Sequence, residues 1–254
     1  MIEIIQIPAL KDNYIYLLVD KETNQTACVD PSESMIVFQE LEKQKLNLDF
    51  IYNTHHHSDH TGGNIDLKNR FKCKIVGSNA DKKRIPGIDI CLKNNDEFFL
   101  GNSKFIVFNT PGHTVGHICF FFLNEMLLFC GDTLFSMGCG RIFEGTHKQM
   151  WSSLKKIRSL PDSTLIYCGH EYTKSNIEFA LSLEPHNSEL KKKYQDIILK
   201  RTEDKPTIPS KLSEEKRFNP FLKVDDKEFL ESTNLKENSS LEVFSKIRIQ
   251  KDLF

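Results

Sequence analysis

The segment NTHHHSDHTGGN, residues 53–64, sets four histidines and an aspartate within six positions and then runs into two glycines. Imidazole nitrogen and carboxylate oxygen at that density are ligands for Zn²⁺, Fe²⁺ or Mn²⁺. Without a metal such imidazoles would be poorly solvated and would repel one another once protonated. If DFIYNT (49–54) is a strand and the chain stays extended, His55, His57 and Asp59 share one side while His56 and Ser58 face the other. His60 follows as the backbone turns, Gly62-Gly63 permit close backbone approach, and Asn64 opens a helix over 65–71. Three other segments place the same ligand types just past predicted strands. TPGHTVGH (110–117) puts His113 after strand 103–109, FCGDTLF (129–135) puts Asp132 after strand 126–130, and YCGHEYT (167–173) puts His170 after strand 164–168. The candidate ligands are then His55, His57, Asp59, His60, His113, Asp132 and His170. That set is too large for one tetrahedral ion, and two ions sharing a carboxylate would account for it.

The elements that must carry these residues are legible as patterns. Short strands dominate as far as about residue 168: YIYLLVD (14–20), TACVD (26–30), DFIYNT and CKIVG (73–77). EFFLGNSKFIVF predicts a hairpin turning at Gly101-Asn102, and HICFFFLNEMLLFC another at Asn124-Glu125. Helical spacing gathers Val37, Phe38 and Leu41 in 33–46, and Met150, Trp151, Leu154 and Ile157 in 148–160. Meandering strands with interleaved helices predict mixed sheets covered by helices on their outer faces. Beyond residue 170, segments 174–183, 187–202 and 238–249 carry helical spacing rich in Lys and Glu, with proline-marked breaks at KPTIPS (205–210) and FNPF (218–221). A small helical lobe is expected there, with Lys191-Lys192-Lys193 on a solvated face.

Taken together, T-H-x-H-x-D-H, G-H-T-x-G-H, C-G-D-T-L-F and C-G-H-E-Y-T resemble the metallo-β-lactamase superfamily and, within it, the glyoxalase II (hydroxyacylglutathione hydrolase) family. The resemblance runs from DNYIYLLVD to the RIQKD tail. It implies an α+β fold: a four-layer αββα sandwich over residues 1–170, then a smaller all-helical, substrate-binding domain over 171–254. The implied activity is hydrolysis of S-D-lactoylglutathione to D-lactate and glutathione, the second step of methylglyoxal detoxification. Carried over by motif, His55, His57 and His113 would hold one metal, and Asp59, His60 and His170 a second, with Asp132 bridging. Zinc is the expected metal, with iron or manganese as alternatives. Asp59 would also orient the attacking water, and Asp59 and Asp132 are the expected catalytic carboxylates. Arg141, Tyr172, Arg248 and Lys251 match family positions that contact glutathione, and Phe143 stands where some members have tyrosine. Asp30, in VDP, is an expected partner orienting a ligand imidazole. His117 is expected to make a structural hydrogen bond and His56 to pack or hydrogen-bond, while His147 and His186 have no motif support. The nearest rival within the superfamily is a mononuclear-iron glutathione persulfide dioxygenase.

Bulk properties narrow the classes. A chain of 254 residues with formal charge −1 and pI near 6.8 has no global pull toward nucleic acid or an anionic membrane. Its most apolar stretch, 118–130, is broken by Asn124 and Glu125 and is too short for a span of roughly 20 residues. The N-terminus alternates apolar and polar residues without a basic leader. Seven cysteines form no CxxC pair and cannot all pair within the chain, so buried reduced thiols are expected. These features lead to the expectation of a cytoplasmic protein with no nucleic-acid or membrane partner; a monomer is expected for want of any visible assembly motif, and the resemblance implies a small-molecule glutathione thioester as substrate.

Overall fold

Alternation along β2 (Asn13–Asp20) sends Tyr14, Tyr16 and Leu18 to one side and Ile15 and Leu17 to the other, and both sets are buried. A strand buried on both faces must be covered twice. The computed structural model, which describes residues 1–254, has both covers. The first sheet runs β1 (Ile2–Ala9), β2, β3 (Thr26–Val29), β4 (Phe50–Tyr52), β5 (Lys74–Ser78) and β6 (Ile90–Leu92) in order. Its first three strands pair antiparallel and the rest parallel. Parallel neighbours need crossovers, which contain α1 (Ser34–Gln44) and α3 (Asn64–Phe71). Val37, Leu41 and Leu67 from these helices pack on Ile15, Leu17, Ile51 and Ile75, the outer set of the sheet.

The second sheet faces the inner set. β7 (Glu97–Leu100), β8 (Ser103–Asn109), β9 (Ile118–Phe122) and β10 (Leu127–Gly131) form an antiparallel meander, with both predicted hairpins present. At Gly101 the backbone takes φ +56°, a conformation glycine adopts without cost. β13 (Leu165–Cys168) pairs parallel with β10. Aromatic rings fill the space between sheets: Tyr52 lies 5.2 Å from Phe105, and Phe105 5.0 Å from Phe122. β9 is buried along its whole length, and α4 (His147–Arg158) adds Met150, Trp151, Leu154 and Ile157 to the same core. A small hairpin, β11 (Leu134–Phe135) with β12 (Gly138–Cys139), follows β10. The result is an α+β αββα sandwich.

One local expectation is corrected. The chain does not remain extended through 54–59 but turns at Ser58 into a single helical turn, α2 (Ser58–Thr61), so Asp59 leaves the alternation of β4 and the turn expected at His60 comes two residues earlier. Beyond Tyr52 the ladder has no registered partner to hold the chain extended. Local bonds satisfy the backbone instead: His60 N and Thr61 Oγ1 donate to the His57 carbonyl, and Asn53 Nδ2 donates to the His60 carbonyl at 2.9 Å.

After β13 come α5 (Thr173–Leu183), α6 (Ser188–Thr202), α7 (Leu212–Phe218), α8 (Lys227–Ser232) and α9 (Ser240–Leu253). Within the proline-marked break and just beyond it, β14 (Ser210–Lys211) pairs antiparallel with β13 at the edge of the second sheet. Helix α9 opens with a capping box, Ser239 and Glu242 satisfying each other's backbone N–H. It packs through Phe244, which sits 6.0 Å from Trp151 of α4 and 5.9 Å from Phe221. No helix is long and apolar enough to cross a membrane.

Candidate active site

The ends of β4, β8, β10 and β13 deliver the seven predicted ligands to one rim of the sandwich. Asp30, just past β3 in a left-handed backbone conformation, organises the first of these ends. Its carboxylate accepts from Thr54 N at 2.8 Å, Thr54 Oγ1 at 2.7 Å and His60 Nδ1 at 2.9 Å. The Thr54 hydroxyl proton is committed to Asp30, so His55 Nδ1 donates to that oxygen at 3.0 Å. Gly62 lets loop 31–34 lie against this turn, since a Cβ there would meet the Ser32 carbonyl at 2.4 Å.

His113 Nδ1 likewise donates outward, to the Arg141 carbonyl at 2.7 Å, and His170 Nδ1 to Asp12 Oδ1 at 2.8 Å. In His55, His60, His113 and His170 the Nδ1 proton is thus directed away from the centre, which turns each Nε2 inward. His57 presents Nδ1 instead, 3.1 Å from His113 Nε2. His55, His57 and His113 offer nitrogens within 4.8 Å of one another, and Asp59, His60 and His170 form a second such triad. Asp132 stands between them, with Oδ1 3.5 Å from His60 Nε2 and Oδ2 3.4 Å from both His113 Nε2 and His170 Nε2.

These groups fit divalent cations. His55 Nε2, His60 Nε2 and Asp132 Oδ1 are buried with no hydrogen-bond partner, and each would cost about 1–3 kcal/mol if nothing else engaged it. Burial, reinforced by neighbouring imidazoles, lowers the pKa of His55 and His57, and burial lowers that of His113, so these rings are neutral donors. At His60 and His170 burial also opposes the proton, but Asp132 together with Asp30 or Asp59 outweighs it and raises both, His170 to about 10. At Asp59 and Asp132 burial opposes ionisation and the histidines overcome it, holding both carboxylates well below their ordinary range.

The centre opens into a cavity of about 510 Å³, a size suited to a small-molecule ligand. His57, Asp59, His113, Asp132 and His170 form part of its lining, together with Arg141, Phe143, Tyr172, Arg248 and Lys251. Tyr172 stacks on His170 with ring centroids 4.7 Å apart and planes nearly parallel. Phe143 is 61 % exposed, its ring 5.2 Å from that of His113. Arg248 is only 4 % exposed and donates to the Cys139 carbonyl at 2.8 Å. Lys251, three residues on along α9, donates to Ser175 Oγ and O. Arg141 Nε pairs with Asp252 at 3.2 Å, a partner its local sequence gave no sign of.

Two family models match the chain. One, described as the metallo-beta-lactamase superfamily, covers residues 13–170, and one described as the hydroxyacylglutathione hydrolase C-terminus covers residues 171–254. A hydroxyacylglutathione hydrolase of Methylococcus capsulatus is 46 % identical over 254 residues, spanning 100 % of this chain and 99 % of that protein. The chain belongs to the hydroxyacylglutathione hydrolase family of the metallo-beta-lactamase superfamily. Another such hydrolase, from Pelagibacter ubique, is 48 % identical over 93 % of this chain and 99 % of its own length. Among solved structures, ETHE1 from Myxococcus xanthus superposes with a TM-score of 0.68 at 25 % identity, covering 97 % of this chain and 96 % of that one. The BLEG-1 B3 metallo-beta-lactamase gives 0.67 at 22 % identity, covering 87 % and 99 %. Membership of this superfamily implies divalent metals, in keeping with the clusters of His and Asp side chains at the rim.

The remaining histidines separate cleanly. His117 accepts from Asp132 N at 3.1 Å and its other nitrogen contacts the Thr110 and Thr133 hydroxyls, the structural role expected of it. His56 lies beside buried Asp81 and Arg84, whose guanidinium also reaches Glu144. That network straps the 141–146 loop to the centre, and its members stand apart in sequence, so no local motif announces it. His147 lies on α4 beside Phe244, and His186 is exposed between α5 and α6. Sequence reasoning also missed Asp12 as the partner of His170 and Asn13 as that of Asp59.

Proposed function

We propose that this chain hydrolyses S-D-lactoylglutathione and related S-2-hydroxyacylglutathiones to D-lactate, or the corresponding acid, and glutathione, in the disposal of methylglyoxal. The observation that carries this reading is a single cavity in which two ligand triads adjoin a wall bearing Arg141, Tyr172, Arg248 and Lys251. Cations on the wall suit a tripeptide that carries two carboxylates. The names of the relatives support the same substrate class. In this reading residues 1–170 are the catalytic unit and 171–254 the substrate-binding unit. Buried free thiols at six of seven cysteines suit the reducing cytoplasm, where we place the protein as a monomer.

His55, His57 and His113 would hold one divalent ion and Asp59, His60 and His170 another, with Asp132 shared; zinc is favoured over iron or manganese. Such ions supply Lewis acidity, which acidifies water and draws charge from a carbonyl oxygen. Asp59 lines the cavity and stays ionised, so its carboxylate orients the attacking water. Arg248, Lys251, Arg141 and Tyr172 hold the glutathione portion and thereby fix the thioester carbon over the centre. The water loses a proton to solvent as its oxygen bonds to that carbon, and the C–S bond breaks with its electron pair going to sulfur. A thiol with pKa near ~8.5 leaves as thiolate without a dedicated acid.

The test is metal content and turnover together: about two zinc ions per chain, and loss of thioester absorbance on adding S-D-lactoylglutathione. One iron per chain, with oxygen uptake on glutathione persulfide and no thioester hydrolysis, would replace this reading with the dioxygenase.

A further inference from the structure

The loop joining β1 to β2, with the first residue of β2, braces one triad and leaves the other alone. Asp12 Oδ1 accepts from His170 Nδ1 at 2.8 Å, and Asn13 Nδ2 donates to both Asp59 Oδ2 and the Asp59 carbonyl at 3.1 Å. The loop is itself pinned to the segment carrying His170. Tyr14 N donates to Gly169 O, Glu171 N to Asp12 O, and Tyr14 OH to Glu171 Oε2, each at 2.8 Å. The His170 ring is thereby fixed with Nε2 3.4 Å from both Asp59 Oδ2 and Asp132 Oδ2. Neither of the other triad's outward contacts involves this loop: His55 leans on Thr54 and His113 on the Arg141 carbonyl. Asp30 engages Thr54 as well as His60, so it supports both sides.

We propose that Asp12 and Asn13 are positioning residues that act through His170 and Asp59 to set the occupancy of that one triad. The inference rests on the two-ion reading of the site. A ligating imidazole must hold one tautomer and one ring orientation, and an outer acceptor supplies both; its loss typically costs roughly 10–100-fold in metal affinity. Asn13 does the equivalent for a carboxylate, tying down Oδ2 and the turn that bears it. Behind the loop lies a second cavity of about 470 Å³ whose lining includes Lys11, Asp12 and Arg201. Asp12 therefore borders open space rather than core, and its truncation leaves no void in the sandwich.

The experiment counts zinc. Wild type, Asp12→Ala, Asp12→Asn, Asn13→Ala and the control Lys11→Ala are loaded with zinc, dialysed against graded chelator, and assayed for zinc per chain by mass spectrometry. Cobalt(II) absorption gives a second readout. Wild type and Lys11→Ala are expected to keep two ions. Asp12→Ala and Asn13→Ala should keep one firmly and release the other roughly 10–100-fold more readily. Asp12→Asn still offers an oxygen to the imidazole N–H and should restore most of the lost affinity. Should Asp12→Ala fail to fold, Asn13→Ala decides: easier release of one ion supports the assignment, and wild-type retention of both overturns it. Folded alanine variants at Asp12 or Asn13 that keep both ions at wild-type affinity, or lose both together, also overturn it. A wild type that holds only one ion would instead refute the two-ion reading on which the inference stands.

Discussion

Replacing Lys251 with alanine tests whether the last helix touches substrate. The Lys251 ammonium has polar contacts only to neutral groups, Ser175 O at 2.9 Å and Ser175 Oγ at 3.0 Å, and lies about 5 Å from the Phe179 and Phe254 ring centroids. Burial, and then the charge of Arg248, push its pKa down to about 8. It is a half-buried cation facing the cavity with no carboxylate bonded to it. A substrate carboxylate arriving there forms a charge-assisted hydrogen bond worth about 1.5–3 kcal/mol when desolvated. Partial exposure reduces that to about 1–2 kcal/mol. At 1.4 kcal/mol per decade, KM should rise roughly 5–30-fold in Lys251→Ala. Turnover should change far less, because the contact lies away from the bond that breaks. The pH dependence follows from the sign of the shift. Lysine carries its charge below its pKa, so the wild-type KM should be flat on the acidic side of about pH 8 and climb above it. The variant, with nothing to titrate at that position, should stay flat and so control for ionisation of the substrate. Steady-state rates from thioester absorbance across this range provide the check. A variant KM equal to wild type at neutral pH, or two pH profiles that climb in parallel, would refute the reasoning.

Three further outcomes are expected. Stripping the metals with chelator should abolish hydrolysis and lower the melting temperature. A ligand at a hundredfold excess over its Kd stabilises the native state by about 2.7 kcal/mol, and readdition of zinc should restore both properties. Zinc retention should also fall on acidification, since protons bound at His60 and His170 compete with a cation, and equilibrium dialysis against pH measures this. Phe244→Ala removes a fully buried ring between Trp151 and Phe221. The cavity should cost about 3–5 kcal/mol, a fall of roughly 6–20 °C in Tm for a chain of this size. Because α9 also carries Arg248 and Lys251, KM should rise more than kcat falls.

Much of this architecture was legible because periodicity reports burial. The alternation in YIYLLVD feeds two cores, and the apolar spacing of Met150, Trp151, Leu154 and Ile157 is the buried face of α4. The residues gathered at the rim were legible because imidazole and carboxylate after strand ends are unusual enough to stand out singly. Extended geometry failed at Ser58, where bonds to the His57 carbonyl and the Asn53 amide close a turn that residue order alone does not reveal. Asp12 and His170 are 158 residues apart, and Arg84 and Glu144 are 60 apart. A lone charged residue in a loop has no period and so gives no hint of its partner. The same holds for Arg141, whose ion pair with Asp252 depends on where the final helix docks.

β14 comes from the C-terminal side of residue 171, yet it pairs with Leu165 and Ile166 on the strand that leads to His170. Cutting the chain between the two matched segments would leave that strand as a bare border with unpaired amides, open to self-association. The smaller part is thus a splint for the larger one, and shortening the protein from its tail strips support from the strand leading to His170 before any histidine of the rim has been removed.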